Sequence, residues 1–126
     1  MALKVELKPR ERIIIGQVVI RNDEQRTRFF IEGEAPILRE KDILTAATAD
    51  TPAKKIYLAI QLMYLEQDPT HEHETYFQLV RDFINAAPSA LPHVHEINNR
   101  ILSDDLYKAL KAARKLIAYE AELIEN

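Results

Sequence analysis

Along the first 44 residues the apolar positions recur in the way strands require. Leu3, Val5 and Leu7 alternate with Lys4, Glu6 and Lys8, the period of two of a half-buried strand. Pro9 ends that run, because proline cannot donate to a ladder. Ile13-Ile14-Ile15 and Val18-Val19-Ile20 then flank Gly16; so many β-branched side chains favour strand over helix, and Gly16 reads as a bulge or bend. The polar stretch from Arg21 to Arg26 predicts a hairpin turn, with Thr27 to Ile31 as the returning strand. Gly33 and Pro36 mark the next break. Ile37-Leu38-Arg39 forms a short last strand or leads into a turn at Glu40-Lys41-Asp42.

Beyond a small, polar linker the period changes to that of helices. Thr51 is a good N-cap, and Pro52 fits the first helical position, where its missing N–H is no loss. The helix it opens runs to about Glu66. Its apolar residues Ile56, Tyr57, Leu58, Ile60, Leu62, Met63 and Leu65 go nearly all the way round, which predicts a central position. Asp68-Pro69 repeats the cap and opens a second helix to about Ala87, with Tyr76, Val80, Phe83 and Ile84 on its inner face. A third segment spans about Ser89 to Leu102. Ser103-Asp104-Asp105 caps a last helix, about 104–125, with its acids at the positive end of the dipole. There Leu106, Leu110, Ala113, Ile117 and Ile124 form one stripe, and Ala109, Ala112, Leu116, Tyr119 and Leu123 its neighbour. So wide a face suits a bundle or a dimer seam. The predicted class is α+β: a small, mostly antiparallel sheet over 1–45, then three or four helices over 51–126, in one compact domain.

Composition narrows the functional classes. The 126 residues are 47% hydrophobic and 29% charged, a globular balance. No cysteine is present, which excludes disulfides and thiolate zinc sites and agrees with a cytoplasmic location. The charged N-terminus does not read as a signal peptide, and no apolar run reaches the roughly 20 residues of a membrane span. The net charge of −3 argues against a general polyanion binder. Residues 1–50 hold nine basic and nine acidic residues, and 51–126 hold eight and eleven, so any nucleic-acid contact must come from a local cluster.

Four histidines fall in two pairs, His71/His73 and His93/His95. A spacing of two on a helix turns the rings about 200° apart, so neither pair holds one ion, and no metal or other cofactor is expected. Catalytic constellations are missing too. The two glycines cannot build a phosphate loop, and Ser89 and Ser103 stand at helix starts, where capping accounts for them. The chain does not read as an enzyme.

The cations are more informative. Arg21, Arg26 and Arg28 gather about the 21–26 turn, Lys8, Arg10 and Arg12 about the first bend, and Arg39 and Lys41 end the strand region. The arginine fork suits phosphates and base edges. Of Phe29 and Phe30, one must face away from the core, and an exposed ring on a sheet stacks an unpaired base. The plainer alternative is a solvated rim with both rings partly buried. Lys108, Lys111, Arg114 and Lys115 share one side of the last helix, where they keep an amphipathic helix solvated.

Three stretches, in register, resemble the FlbT family of flagellin regulators. They are Ala35-Pro36-Ile37-Leu38-Arg39-Glu40-Lys41-Asp42-Ile43, then Thr51-Pro52-Ala53-Lys54-Lys55-Ile56-Tyr57 with Met63-Tyr64-Leu65, and Tyr107-Lys108-Ala109-Leu110 with Arg114-Lys115-Leu116-Ile117-Ala118-Tyr119-Glu120. Arg10, after Lys8-Pro9, departs from the glycine of that family. The resemblance implies a post-transcriptional regulator acting on the 5′ untranslated region of flagellin mRNA, repressing translation and promoting decay, or activating in some members, alongside a small partner, FlaF.

Glu11-Arg12-Ile13-Ile14-Ile15-Gly16, and Ala35-Pro36 with Arg39-Glu40 and Ile43, are also similar to the carbon storage regulator family of RNA-binding proteins. The gap between Ala-Pro and Arg-Glu is four residues shorter here. That likeness nominates Arg39 as an RNA contact. Together these readings make Arg39, Lys41, Arg21, Arg26, Arg28 and Lys8 candidate RNA contacts, with Phe29 and Phe30 for stacking. Leu106, Leu110, Ile117 and Ile124 are candidates for a FlaF-type partner or a homodimer seam. The rival function is a protein-interaction module whose acidic helices bind FlaF, flagellin or a secretion component and touch mRNA only indirectly.

Overall fold

The computed structural model describes residues 2–125, and of Pro69 the backbone only. The chain divides into two compact units, Met1–Ile43 and Leu44–Asn126. The fold is α+β, as the patterns predict, with the antiparallel strands before the helices.

In the first unit β1 (Ala2–Leu7) pairs antiparallel with β4 (Thr27–Glu32), setting Lys4 opposite Phe30, Val5 opposite Phe29 and Glu6 opposite Arg28. A three-stranded antiparallel sheet has β2 (Arg12–Ile15) between β3 (Val18–Arg21) and β5 (Ile37–Arg39). Val5, Leu7 and Ile13 are buried together, with Ile15, Phe29, Ile31 and Ile37 packed against them, so the inner faces of both sheets share one small core.

Two expectations are corrected here. The 21–26 stretch does not close a hairpin, because β4 returns to β1 and not to β3. The hairpin joins β2 to β3 across Gly16-Gln17, with Ile15 opposite Val18. Of the two alternatives for Gly16 the bend holds and the bulge does not, since the glycine is a turn residue. Its φ of +62° suits the first central position of a primed two-residue loop, which matches strand twist. The 21–26 stretch has a different task. The Asn22 side-chain amide donates to the carbonyls of Lys8 (2.8 Å), Gln25 (2.9 Å) and Leu7 (3.2 Å), stitching this loop to the turn after β1. Arg10, in that turn, has φ +63°, the left-handed region that favours glycine. The departure from the FlbT pattern thus falls where a Cβ is strained.

In the second unit α1 (Pro52–Glu66) is buried nearly all round, through Ala53, Ile56, Tyr57, Ala59, Ile60, Gln61 and Met63. Thr51 caps it, its hydroxyl accepting from the Lys54 N–H at 3.2 Å. Buried Gln61 mimics a backbone unit: its amide oxygen accepts from the Leu44 N–H and its nitrogen donates to the Leu44 carbonyl, both at 2.9 Å. A 3₁₀ turn over Pro69–Glu72, capped by Asp68, precedes α2 (His73–Ala86), so that helix begins four residues later than its proline suggests. Tyr76, Val80 and Phe83 are its buried residues. A second 3₁₀ turn, Pro88–Ala90, leads into α3 (Leu91–Leu102), and α4 is Leu106–Glu125. Burial pushes the Tyr76 phenol above its usual range, and its hydroxyl donates to Asn98 at 2.6 Å. Among the described residues no helix is long and apolar enough to cross a membrane.

Candidate nucleic-acid interface

Strand alternation decides what the β1–β4 ribbon presents. Val5, Leu7 and Phe29 point to the core, so Lys4, Glu6, Arg28 and Phe30 share the outer face, as do Arg26 and Glu32 by the same period. Phe29 is half-buried, whereas Phe30 is 64% exposed. Of the two rings nominated from the sequence, Phe30 is free to stack.

Charge around that ring is arranged unevenly. Lys4 stands directly across from Phe30, and Arg28 lies two residues along the same strand. Arg26 is engaged: its guanidinium donates to Glu6 at 2.6 Å. That hydrogen bond holds the Glu6 carboxyl below the usual carboxylate range, with smaller help from the charges of Arg26, Arg28 and Lys4. An exposed aromatic between two cations is a platform for one unpaired base and its flanking phosphates.

The other nominated cations do not join this platform. Arg21 lies opposite Arg12 on the three-stranded sheet, while Arg39 lies opposite Ile13, one position on, and so projects from the other face of that sheet. Arg12 donates to Glu40 at 3.1 Å. Lys41 is exposed in the 3₁₀ turn Glu40–Asp42, and Lys8 is exposed in the turn after β1, where its own N–H donates to Glu11. The structure thus brings together Arg26, Arg28 and Phe30, with Lys8 in the turn that follows Leu7 across from Thr27, and places Arg21, Arg39 and Lys41 on other elements, the three-stranded sheet and the 3₁₀ turn after it. Lys4 and Glu6 escaped the sequence reading of the site, although the period of two had already put both on the outer face of β1.

The residues nominated for a partner divide as well. Leu106 and Leu110 are buried within the helical unit, Ile117 is half-buried, and Ile124 is 71% exposed. Leu106 and Leu110 are core, for a physical reason: α4 packs against both α1 and α3, which uses most of its wide apolar face. At the end of α4 a groove of about 570 Å³ is lined by Phe83, Ala86, Pro88, Leu123 and Ile124, with Asp82 and Glu120 among its polar members. Glu120 is itself buried and accepts from the Ala53 N–H at 2.8 Å, so it supplies the negative charge that the first turn of α1 lacks. Three of the histidines, His71, His73 and His93, have a local partner. His71 meets Glu66 at 3.2 Å, His73 lies against Phe77 and His93 against Tyr119, while among the described residues no group of three or more His, Cys, Asp and Glu is placed to hold a metal.

Fold and site define a small α+β protein in which a thin sheet unit displays an aromatic, cationic face and precedes a helical unit. Comparison with known proteins gives the family. The family model described as "Flagellar protein FlbT" matches residues 3–124. The chain is 64% identical over 124 residues to the "Probable flagellum biosynthesis repressor protein FlbT 1" of Bradyrhizobium diazoefficiens, covering 98% of this chain and 85% of that protein. It is 53% identical over 126 residues to the "Probable flagellum biosynthesis repressor protein FlbT" of Rhodopseudomonas palustris, over the whole of both chains. It is 33% identical over 125 residues to the "Flagellum biosynthesis repressor protein FlbT" of Caulobacter vibrioides, covering 97% and 89%. No solved structure matches. The chain belongs to the FlbT family.

Proposed function

We propose that this chain regulates flagellum biosynthesis by binding the 5′ untranslated region of flagellin mRNA through the outer face of β1 and β4. The observation that carries the reading is Phe30, 64% exposed, with Lys4 across the ribbon and Arg28 beside it. Stacking takes an unpaired base and the cations take its phosphates, so single-stranded leader is the RNA this face suits. A protein seated on unpaired leader excludes the ribosome from it, which gives repression of translation. The printed names of the relatives support the process, and the sheet face supports the ligand.

The test is binding of the purified chain to a flagellin leader, against a scrambled RNA, across a salt series. Phe30→Ala should weaken binding by about 1–3 kcal/mol, roughly five- to 150-fold, with no change in fold. Arg28→Ala should lower the salt slope by about 0.7. Arg39→Ala should bind as the parent does. Loss of binding in Arg39→Ala with Phe30→Ala unaffected would move the site to the three-stranded sheet. No binding to any leader would overturn the RNA reading.

A second reading, a protein-interaction module, is favoured by the groove at the end of α4. There the exposed Ile124 and its neighbour Leu123 border an apolar channel that a FlaF-type partner helix would fill. Ile124→Glu should abolish that binding without unfolding the chain, since the side chain is already at the surface. Unchanged partner binding in this variant would eliminate the groove.

A further inference from the structure

The outer strand β3 is exposed along its whole length. Val18 is 56%, Val19 62% and Ile20 39% exposed, and no strand pairs with its free side among the described residues. Proteins ordinarily interrupt such an edge with lysine, proline or a bulge, and none stands between Val18 and Ile20. Val18 and Ile20 belong to the same face as Ile15 and Ile13, opposite them on β2. Ile13 is fully buried there, whereas Val18 and Ile20 are bare.

The hydrogen-bond phase of the edge follows from the hairpin. Ile15 and Val18 flank a two-residue loop and so exchange hydrogen bonds with each other. On the far side of β2 the Gly16 N–H donates to the Pro36 carbonyl at 2.8 Å, in keeping with that alternation. Ile20, opposite Ile13, therefore turns its N–H and C=O towards β2, and Val19 turns both away from it.

We propose that β3 pairs antiparallel with β3 of a second copy of this chain, about a two-fold axis at Val19. Such an axis keeps side chains of one face opposite their like, so the centre of the seam must fall on a residue. Centred on Val19, the outward N–H and C=O of the two Val19 residues satisfy one another. Centred on Ile20, the outward groups of Val19 and Arg21 would pair with one another, but Val19 would face an arginine and Val18 would face Asn22, so the apolar residues would not match. The Val19 register also sets Val18 against Ile20 of the second copy in the closer, non-hydrogen-bonded pairs, and Arg21 against Gln17 and not against another arginine. The two bare strips merge into one apolar surface, and the sheet becomes six-stranded, in the order β5-β2-β3-β3-β2-β5. A seam this short gives a weak, micromolar dimer. The proposal rests on the sheet alone and stands whether or not the protein binds RNA.

Sedimentation of the full chain over a concentration series, without RNA, tests it. The expected result is a shift from one chain to two across the micromolar range. Val19→Pro removes an outward N–H and leaves the bonds to β2 intact, and Val19→Lys puts a solvated charge on the seam. Both should remain single chains with unchanged circular dichroism; if the proline variant unfolds, the lysine variant decides. Because the chain has no cysteine, Val19→Cys offers a second readout. It should oxidise to a covalent dimer faster than the equally exposed Phe30→Cys. A parent chain that stays single throughout, or a folded Val19→Lys that still dimerises like the parent, overturns the proposal.

Discussion

The two units use their apolar residues in opposite ways. In the helical unit α1 is enclosed on nearly every side, and Gln61, which interrupts its apolar run, is buried and doubly hydrogen-bonded. In the sheet unit the shared core holds three buried residues, Val5, Leu7 and Ile13, with Ile15, Phe29, Ile31 and Ile37 only partly buried against them, and the alternate side chains of β1 and β4 turn outward. Charge follows the same division. Residues 1–43 carry nine basic and eight acidic residues, and 44–126 carry eight and twelve. A thin sheet is obliged to display about half its side chains, which makes it a presenting surface, while a wrapped helix is obliged to hide them. The candidate binding face therefore lies on the unit whose core is smallest.

Several substitutions would break or sharpen this contrast. The largest loss should come from emptying the helical core. Ile60→Ala, at a fully buried site, is expected to destabilise that unit by about 2–5 kcal/mol in urea unfolding. Gln61→Leu is next. It keeps the volume but strands the N–H and C=O of Leu44, at a cost of about 1–3 kcal/mol in the same measurement. A smaller loss of stability would mean that water reaches Leu44 and that the helical unit is less closed than its burial implies.

On the sheet side the expected effects are smaller, and one has the opposite sign. Arg10→Gly relieves a left-handed residue and gives up only an exposed ion pair to Glu24, so it should stabilise the sheet unit by about 0.5–1 kcal/mol, read as a raised urea midpoint. The smallest effect concerns pH. The Glu6 carboxyl is held below its ordinary value of 4.5, so its pairing with Arg26 favours the fold above that value and is lost as pH falls through the lower, folded one. Acidification then frees Arg26 and makes the ribbon face more positive. RNA affinity should rise on acidification towards that of Glu6→Gln, whose salt slope should already exceed the parent's by about 0.7 at neutral pH. Equal slopes for the two proteins would show that Arg26 already contacts phosphate in the parent.

Much of the candidate face was legible before any coordinates. The alternation of Leu3 to Lys8 already places Lys4 and Glu6 outward, and one ring of Phe29-Phe30 had to be exposed. Which ring, and which cations accompany it, was not legible, because that depends on the strand that β4 pairs with. Read as a hairpin with β3, the 21–26 stretch would have set Arg21 beside Arg26 and Arg28; pairing with β1 sets Lys4 and Glu6 there instead.

By itself the sequence determined the order of strands and helices, the Thr51-Pro52 start of α1 and the central place of that helix. Each of these is written within a few neighbouring residues, as a period, a cap or a proline. Only the tertiary structure decided that β1 and not β3 receives β4, that Leu106 and Leu110 are core, and that Glu120 accepts from the N–H of Ala53, 67 residues earlier, in the first turn of α1. These depend on partners far apart in the chain. They are selected by which apolar faces can be buried together, and no local pattern records that choice.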